Sequence, residues 1–201
     1  SIIMWTVKEV IDNSGMTIEE FANHYEIPVE TLKEWYNDKE NKRNLLDREI
    51  TKKRKKESGK TKISTSKDGY RFAKYGKFSL MLNRNNSKEA SIDNYDEIFQ
   101  QEAEEREIEP VDIIIPNEIG FIKIKKIIFM SFSQRNIGTV KIENGIERIE
   151  DSAFIYCFNL RSISIPESVN YISKYAFKGC KNLDEQSRQK ILSLAPETEF
   201  E

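Results

Sequence analysis

The sequence predicts an α+β multidomain protein: a helical N-terminal segment, a small central antiparallel β segment and a short C-terminal solenoid with parallel strands. Three observations predict it. Residues 142–160 and 165–183 repeat each other at an offset of 23, with nearly every matched position apolar or small. Such a period marks stacked coils that cannot bury their apolar sides alone. Residues 7–37 place apolar side chains at helical spacing between cap and stop signals. Charge also falls in blocks. Residues 1–88 hold 19 Lys/Arg and 13 Asp/Glu, a net of +6. Residues 89–109 hold nine acids against Arg106 alone, and residues 110–201 hold 12 of each sign. Blocks of this kind separate regions of different role.

The 201 residues suffice for one large domain or two small ones. Hydrophobic residues at 38% allow a core, while 33% charge and a mean hydropathy of -0.64 describe long solvated stretches. Apolar runs such as Ile113–Ile115 and Ile127–Met130 are too short to span a bilayer. The start, Ser1-Ile2-Ile3-Met4, lacks the basic region and apolar stretch of a signal peptide. Two cysteines cannot build a multi-disulfide framework. A cytoplasmic protein without a membrane segment is expected.

Residues 1–50 are expected to be a helical domain. Val7, Val10 and Ile11 form one face of a first helix, which Asn13-Ser14-Gly15 ends. Thr17 with Glu20 three residues on is a capping box for a second helix, with Phe21 and Ala22 inward. His24-Tyr25-Glu26 makes a turn. Pro28 suits the first position of a third helix, anchored by Leu32 and Trp35. Gly15-Met16-Thr17, Phe21-Ala22, Leu32 and Trp35 together resemble the phage-repressor-type helix-turn-helix over about 45 residues. That resemblance implies duplex DNA as a partner, binding as a homodimer, and a third helix in the major groove. It places Val29, Glu30, Thr31, Lys33, Glu34 and Asn37 outward, with Val29, Thr31, Lys33 and Asn37 as candidate DNA contacts. Glu30 and Glu34 depart from a cationic reading helix, since phosphate neutralisation supplies most non-specific affinity. Positive charge follows instead in Lys42, Arg43 and Arg48, and then in Lys52-Lys53-Arg54-Lys55-Lys56. Residues 51–62 are therefore either a basic helix extension lying along phosphates or a solvated linker.

Residues 63–88 are expected to form a small β segment. Asp68-Gly69 and Tyr75-Gly76-Lys77 are turn signals between Tyr70–Phe72 and Phe78–Leu82, which read as strands. Lys67, Arg71, Lys74, Lys77 and Arg84 interleave with Tyr70, Phe72, Tyr75 and Phe78. Single-stranded nucleic acid is held by such interleaving, and any strand with one buried face also shows it. Asn83–Ser87 is expected to be a polar loop. Residues 89–109 are expected to be an acidic helix, since Ile92, Tyr95, Ile98, Phe99 and Ala103 fall near helical spacing.

Residues 110–201 carry the repeat. Ile142 matches Ile165, Ile149 matches Ile172, Ala153-Phe154 matches Ala176-Phe177, and Cys157 matches Cys180. Asn159-Leu160 matches Asn182-Leu183. A damaged upstream copy starts at Ile115-Pro116, with Ile137 standing where Leu160 and Leu183 stand. Thr139–Ile142 and Ser162–Ile165 alternate as strands do. Asp184–Leu194 reads as a capping helix with Ile191, Leu192 and Leu194 on its apolar side. Ile165-Pro166, Ala176-Phe177 and Cys180-Lys181-Asn182-Leu183 resemble the BspA-like subclass of leucine-rich repeats, over about 75 residues. That resemblance implies a binding module rather than a catalyst. The cysteines occupy equivalent positions and are expected to be buried, structural thiols.

No cofactor, metal site or catalytic set is expected. His24 is the only histidine, and no phosphate-cradling glycine loop or nucleophile elbow occurs. The sequence leaves two functional readings. One is a non-enzymatic DNA-binding regulator whose repeats engage a protein. The other is a protein-binding inhibitor or adaptor from a mobile element, using residues 89–201, with the helical trio autoregulatory or a docking domain.

Overall fold

The computed structural model describes residues 4–201, so the reading of Ser1–Ile3 lies outside the described residues. The chain divides into two compact units at Lys60/Thr61.

The first unit holds helices α1 (Val7–Ser14), α2 (Ile18–His24), α3 (Val29–Asn37) and α4 (Arg43–Lys60). Helices of seven to nine residues do not persist alone in water, so caps and packing hold them. Thr17 and Glu20 make the expected capping box, and Thr6 and Glu9 make a second one at α1. Each cap contributes about 1 kcal/mol. Gly15 ends α1 at φ 77°, a left-handed turn that glycine adopts without a Cβ clash. Pro28 is the N-cap of α3, one position before the first helical residue. Val7, Ile11, Phe21, Ala22, Leu32 and Leu46 close the core. The Tyr36 hydroxyl donates to Asp12 at 2.7 Å and ties α3 to α1.

The second unit opens with a meander: β1 (Lys62–Thr65), β2 (Arg71–Tyr75), β3 (Phe78–Asn83) and β4 (Asn86–Tyr95). The acidic helix expected over 89–109 is corrected here. Residues 86–95 are strand, and helix α5 is confined to Gln100–Glu105. The cause is a β-bulge. Leu80 pairs with Ile92 and Phe78 with Tyr95, so Asp93 is an extra residue that returns Tyr95 to the side of Ile92. Two inward residues three apart therefore imitate a helix. The polar loop expected at Asn83–Ser87 is a two-residue turn, Arg84-Asn85, between paired strands.

Strand β4 then pairs in parallel with the repeats, which begin with β5 (Val111–Ile115), β6 (Glu118–Ile119) and β7 (Ile122–Ile127). The coils continue through β8 (Ile137–Ile142), β9 (Arg148–Ile149), β10 (Ser162–Ser164) and β11 (Tyr171–Ile172). One sheet runs β1-β2-β3-β4-β7-β9-β11, with β6 beside β7, and a second runs β10-β8-β5. Between them Tyr95, Phe132, Phe154 and Phe177 stack in file, with centroids 5.3, 5.0 and 5.3 Å apart. Backbone bonds repeat at the same height: Tyr95 N–H to Ser131, Phe132 N–H to Ala153 and Phe154 N–H to Ala176. Strand β4 thus supplies part of a coil ahead of the first repeat. An asparagine file runs alongside. Asn159 Nδ2 donates to Asn136 Oδ1 at 3.0 Å, and Asn136 Nδ2 donates to the Glu109 carbonyl at 3.1 Å.

Helix α6 (Glu185–Leu194) closes the C-terminal end. Ser187 Oγ accepts from the Ile163 N–H at 3.0 Å and so stands in for the next strand beside β10. Of the three side chains expected on its apolar side, only Ile191 is buried; Leu192 and Leu194 are each 36% exposed. Asp184 caps α6, accepting from the Ser187 N–H at 2.8 Å, and its hydrogen bonds to Ser187 hold the carboxyl below its ordinary value. A depressed folded pKa gives stability that is full above the unfolded value of about 3.9 and is lost as pH falls through the folded value. Asp184→Asn, which keeps a good N-cap, is therefore expected to flatten the acid limb of urea stability against pH relative to wild type.

Candidate interaction surfaces

The side chains expected to contact DNA lie on α3, on the approach to α4 and along α4. Val29 is corrected: it packs on the core of the helical unit instead of facing solvent. Thr31 and Lys33 are half-buried, and Asn37 is exposed. Lys33 Nζ lies 3.7 Å from both Glu19 and Glu30, so α3 presents Glu30 and Glu34 as its most exposed charges. Lys42 sits between Asp38 and Glu40, and Arg43 Nε donates to Asp47 at 2.7 Å.

The basic run is helical, and the helix splits it between faces. Leu46, Ile50, Lys53 and Glu57 follow one another at helical spacing on the core side. The Lys53 side chain is only 15% exposed and lies 3.9 Å from Glu57. Its ammonium also sits 5.4 Å from the Tyr25 ring centroid. Lys53 is spent within the fold. Arg54 is half-buried, and Lys56 donates to Glu26 at 3.2 Å. Arg48, Lys52 and Lys55 remain on one exposed stripe with Asn44 and Thr51. Of the eleven residues expected to touch DNA, the helix brings Lys52 and Lys55 together as free cationic surface and adds Arg48.

The repeat unit offers a different surface. At the corner that follows β7, β9 and β11, Phe129 is 61% exposed, Met130 43%, and Tyr156, Phe158 and Tyr175 are each 39% exposed. Tyr156 and Phe158 lie 6.1 Å apart. Gln100 Nε2 donates to the Tyr156 carbonyl, bringing the start of α5 and Phe99 to this corner. Gly179 at φ 81° leaves room for the Tyr156 ring, which any Cβ there would strike. Cations sit over these rings: Arg135 over Phe99 at 4.1 Å, Lys181 over Phe158 at 5.2 Å, and Lys174 and Lys178 over Tyr175 at 5.3 and 5.4 Å. Sequence reasoning missed this corner because the matched repeat positions are the buried ones. The available signal was the aromatic residues directly beside them.

Among the described residues no three His, Cys, Asp or Glu side chains are grouped to hold a metal ion. Cys157 and Cys180 are fully buried, and their thiols donate to the Phe132 and Phe154 carbonyls at 3.1 and 3.0 Å. Burial pushes the Cys157 thiol well up, away from the nucleophilic thiolate. No helix among the described residues is long and apolar enough to cross a membrane. The nine acids of residues 89–109 are divided among a strand, a six-residue helix and turns, so they form no continuous acidic helical face.

Residues 107–200 match the family described as BspA type leucine rich repeat region (6 copies). The repeat resemblance of the C-terminal half is thereby matched, and residues 1–106 lie outside it. Two crystal structures are similar. One is a leucine-rich repeat protein from Bacteroides capillosus ATCC 29799, at 22% identity and a TM-score of 0.47, over 56% of this chain and 78% of that one. The other is the T. pallidum leucine rich repeat protein TpLRR, at 18% identity and a TM-score of 0.45, over 53% of this chain and 45% of that one. No curated protein matches the chain.

Proposed function

We propose that this chain is a non-enzymatic interaction protein whose repeat unit holds a protein partner at the aromatic corner. The carrying observation is the set of exposed rings at Phe99, Tyr156, Phe158 and Tyr175, most with a lysine or arginine over the face. Tyr, Phe and Arg are the residues that dominate protein interfaces, and scattered surface residues seldom gather in this way. The cations favour a partner with an apolar centre and an acidic rim. The BspA-type repeat match supports the same reading. The test compares capture from source-cell extract by wild type and by Tyr156→Ala/Phe158→Ala. A partner held by wild type and released by the double variant supports the assignment. Equal retention by a folded variant removes the corner from it.

A second reading concerns the helical unit. Arg48, Lys52 and Lys55 on one stripe of α4 support contact with duplex DNA through phosphates, in place of base reading by α3. The chain would then be a DNA-bound regulator that recruits a protein. Titration of labelled duplex between roughly 50 and 200 mM salt is expected to show steep weakening. Neutralising Arg48, Lys52 and Lys55 is expected to flatten that slope by about 0.9 for each phosphate that no longer meets a cation. Absence of binding at low salt rejects this reading.

A further inference from the structure

The outward face of the long sheet carries one side chain from every strand of its main path, in register. Ser64 pairs with Phe72, Phe72 with Met81 and Met81 with Ser91. Ser91 pairs with Lys126, Lys126 with Arg148 and Arg148 with Tyr171. Paired residues share a face, so Ser64, Phe72, Met81, Ser91, Lys126, Arg148 and Tyr171 form a single row. Their neighbours Ala73, Leu80, Ala90 and Ile127 point into the core. The row belongs to the meander and the repeats alike, and neither explains why it is basic and aromatic.

Two rings carry a guanidinium, Tyr70 beside the row and Tyr171 at its end. Arg84 Cζ lies 4.4 Å from the Tyr70 centroid, and Arg148 Cζ lies 3.9 Å from the Tyr171 centroid. Tyr70 is 38% exposed and Tyr171 39%. Beside Tyr70 lies a groove of about 270 Å³ bordered by Tyr70, Met81, Arg84, Glu89, Ser91 and Lys126. Lys126 is exposed, with Lys125 beside it. Glu147 and Glu150 pair with Lys125 and Arg148, and Arg84 and Lys126 outnumber Glu89, the acid that borders the groove itself. From Phe72 on β2 to Tyr171 on β11 the row crosses five strand spacings, about 24 Å at ~4.8 Å each. That length takes roughly four nucleotides, the lower end of single-strand site sizes.

We propose that this sheet face binds single-stranded nucleic acid, with bases laid on Phe72 and on the guanidinium planes that cover Tyr70 and Tyr171, and phosphates held by Lys125 and Lys126. Flat rings at the level of a sheet surface suit unpaired bases, whose faces a duplex conceals, and the cations suit the backbone. An acidic peptide would meet the same charge but would lay no flat group on Phe72 or on the guanidinium planes. The surface lies wholly in the second unit and stands independently of the protein-binding corner and of the α4 stripe.

The experiment is fluorescence anisotropy on the full chain with a labelled oligothymidylate 12-mer, a duplex of equal length and a labelled polyglutamate peptide. The single strand is expected to bind more tightly than the other two, with marked salt dependence. Tyr70→Ala and Phe72→Ala are each expected to weaken it about tenfold, as loss of one stacked base does. Lys126→Glu, an exposed change that leaves the core untouched, should weaken it at least as much. Circular dichroism of each variant confirms an intact fold. The proposal is overturned if the single strand fails to bind at low salt, or if polyglutamate binds equally well. It is also overturned if binding survives the sheet variants and disappears when Arg48, Lys52 and Lys55 are neutralised.

Discussion

Phe154→Ala is expected to cost the repeat unit about 3–5 kcal/mol and to lower its melting temperature on the order of 10 °C. Phe154 is fully buried and stacked on both sides, 5.0 Å from Phe132 and 5.3 Å from Phe177. The size of the cost depends on whether the neighbours can close over the vacated volume. Here they are held apart. The Phe154 N–H is bonded to Ala176 and the Phe132 N–H to Ala153, so the coil spacing is fixed by backbone and the rings cannot slide together. Cys180 adds a restraint, since its thiol donates to the Phe154 carbonyl. The control is Phe158→Ala, four residues on but 39% exposed, for which a change within about 0.5 kcal/mol is expected. Urea denaturation of both variants measures the contrast. A cost below about 1 kcal/mol at Phe154 would mean that the coils do collapse and that the ring file is not what sets their spacing.

The repeats were legible because a coil buries the same positions each time it turns. Ile142/Ile165, Phe154/Phe177 and Cys157/Cys180 are alike because each meets the residue above and below it. That logic stops where the solenoid meets its N-terminal cap. Tyr95 holds the position of a repeat phenylalanine, yet it arrives from an antiparallel strand with a bulge at Asp93, so no 23-residue offset finds it. The bulge also gave 92 and 95 a helical spacing. On α4 the obstacle was different. Its inward row of Leu46, Ile50, Lys53 and Glu57 has the right spacing, but half of it is charged, and an ion pair beneath Tyr25 does not read as a core. The candidate surfaces were the least legible. Tyr156 and Phe158 face out at positions that the repeat leaves variable. The sheet-face row exists only because seven strands from two motifs align.

Arg135→Ala is expected to release the meander from the repeats at a cost of roughly 3 kcal/mol or more. Arg135 stands in the first coil where Cys157 and Cys180 stand in the next two. Its Nε donates to the Tyr95 carbonyl at 2.8 Å, as Cys157 donates to Phe132 and Cys180 to Phe154. The guanidinium does more than a thiol does. It also donates to Asn94 Oδ1 at 2.9 Å and to the Ser133 carbonyl at 3.2 Å, and it covers the Phe99 ring. Hydrogen bonds from a charged donor contribute about 1.5–3 kcal/mol each, and removing the donor leaves the Tyr95 carbonyl with the Glu97 N–H, at 3.0 Å, in place of two donors. The loss should be local. Amide hydrogen exchange is expected to quicken across β2, β3 and β4 while β8 to β11, bonded to one another, keep their protection. Arg135→Cys supplies the donor used by the other coils and can restore only the bond to Tyr95, so it should recover part of the stability but not the hold on Asn94. Uniform loss of protection over both sheets would show instead that meander and solenoid open as one cooperative body, with Arg135 an ordinary member of its core.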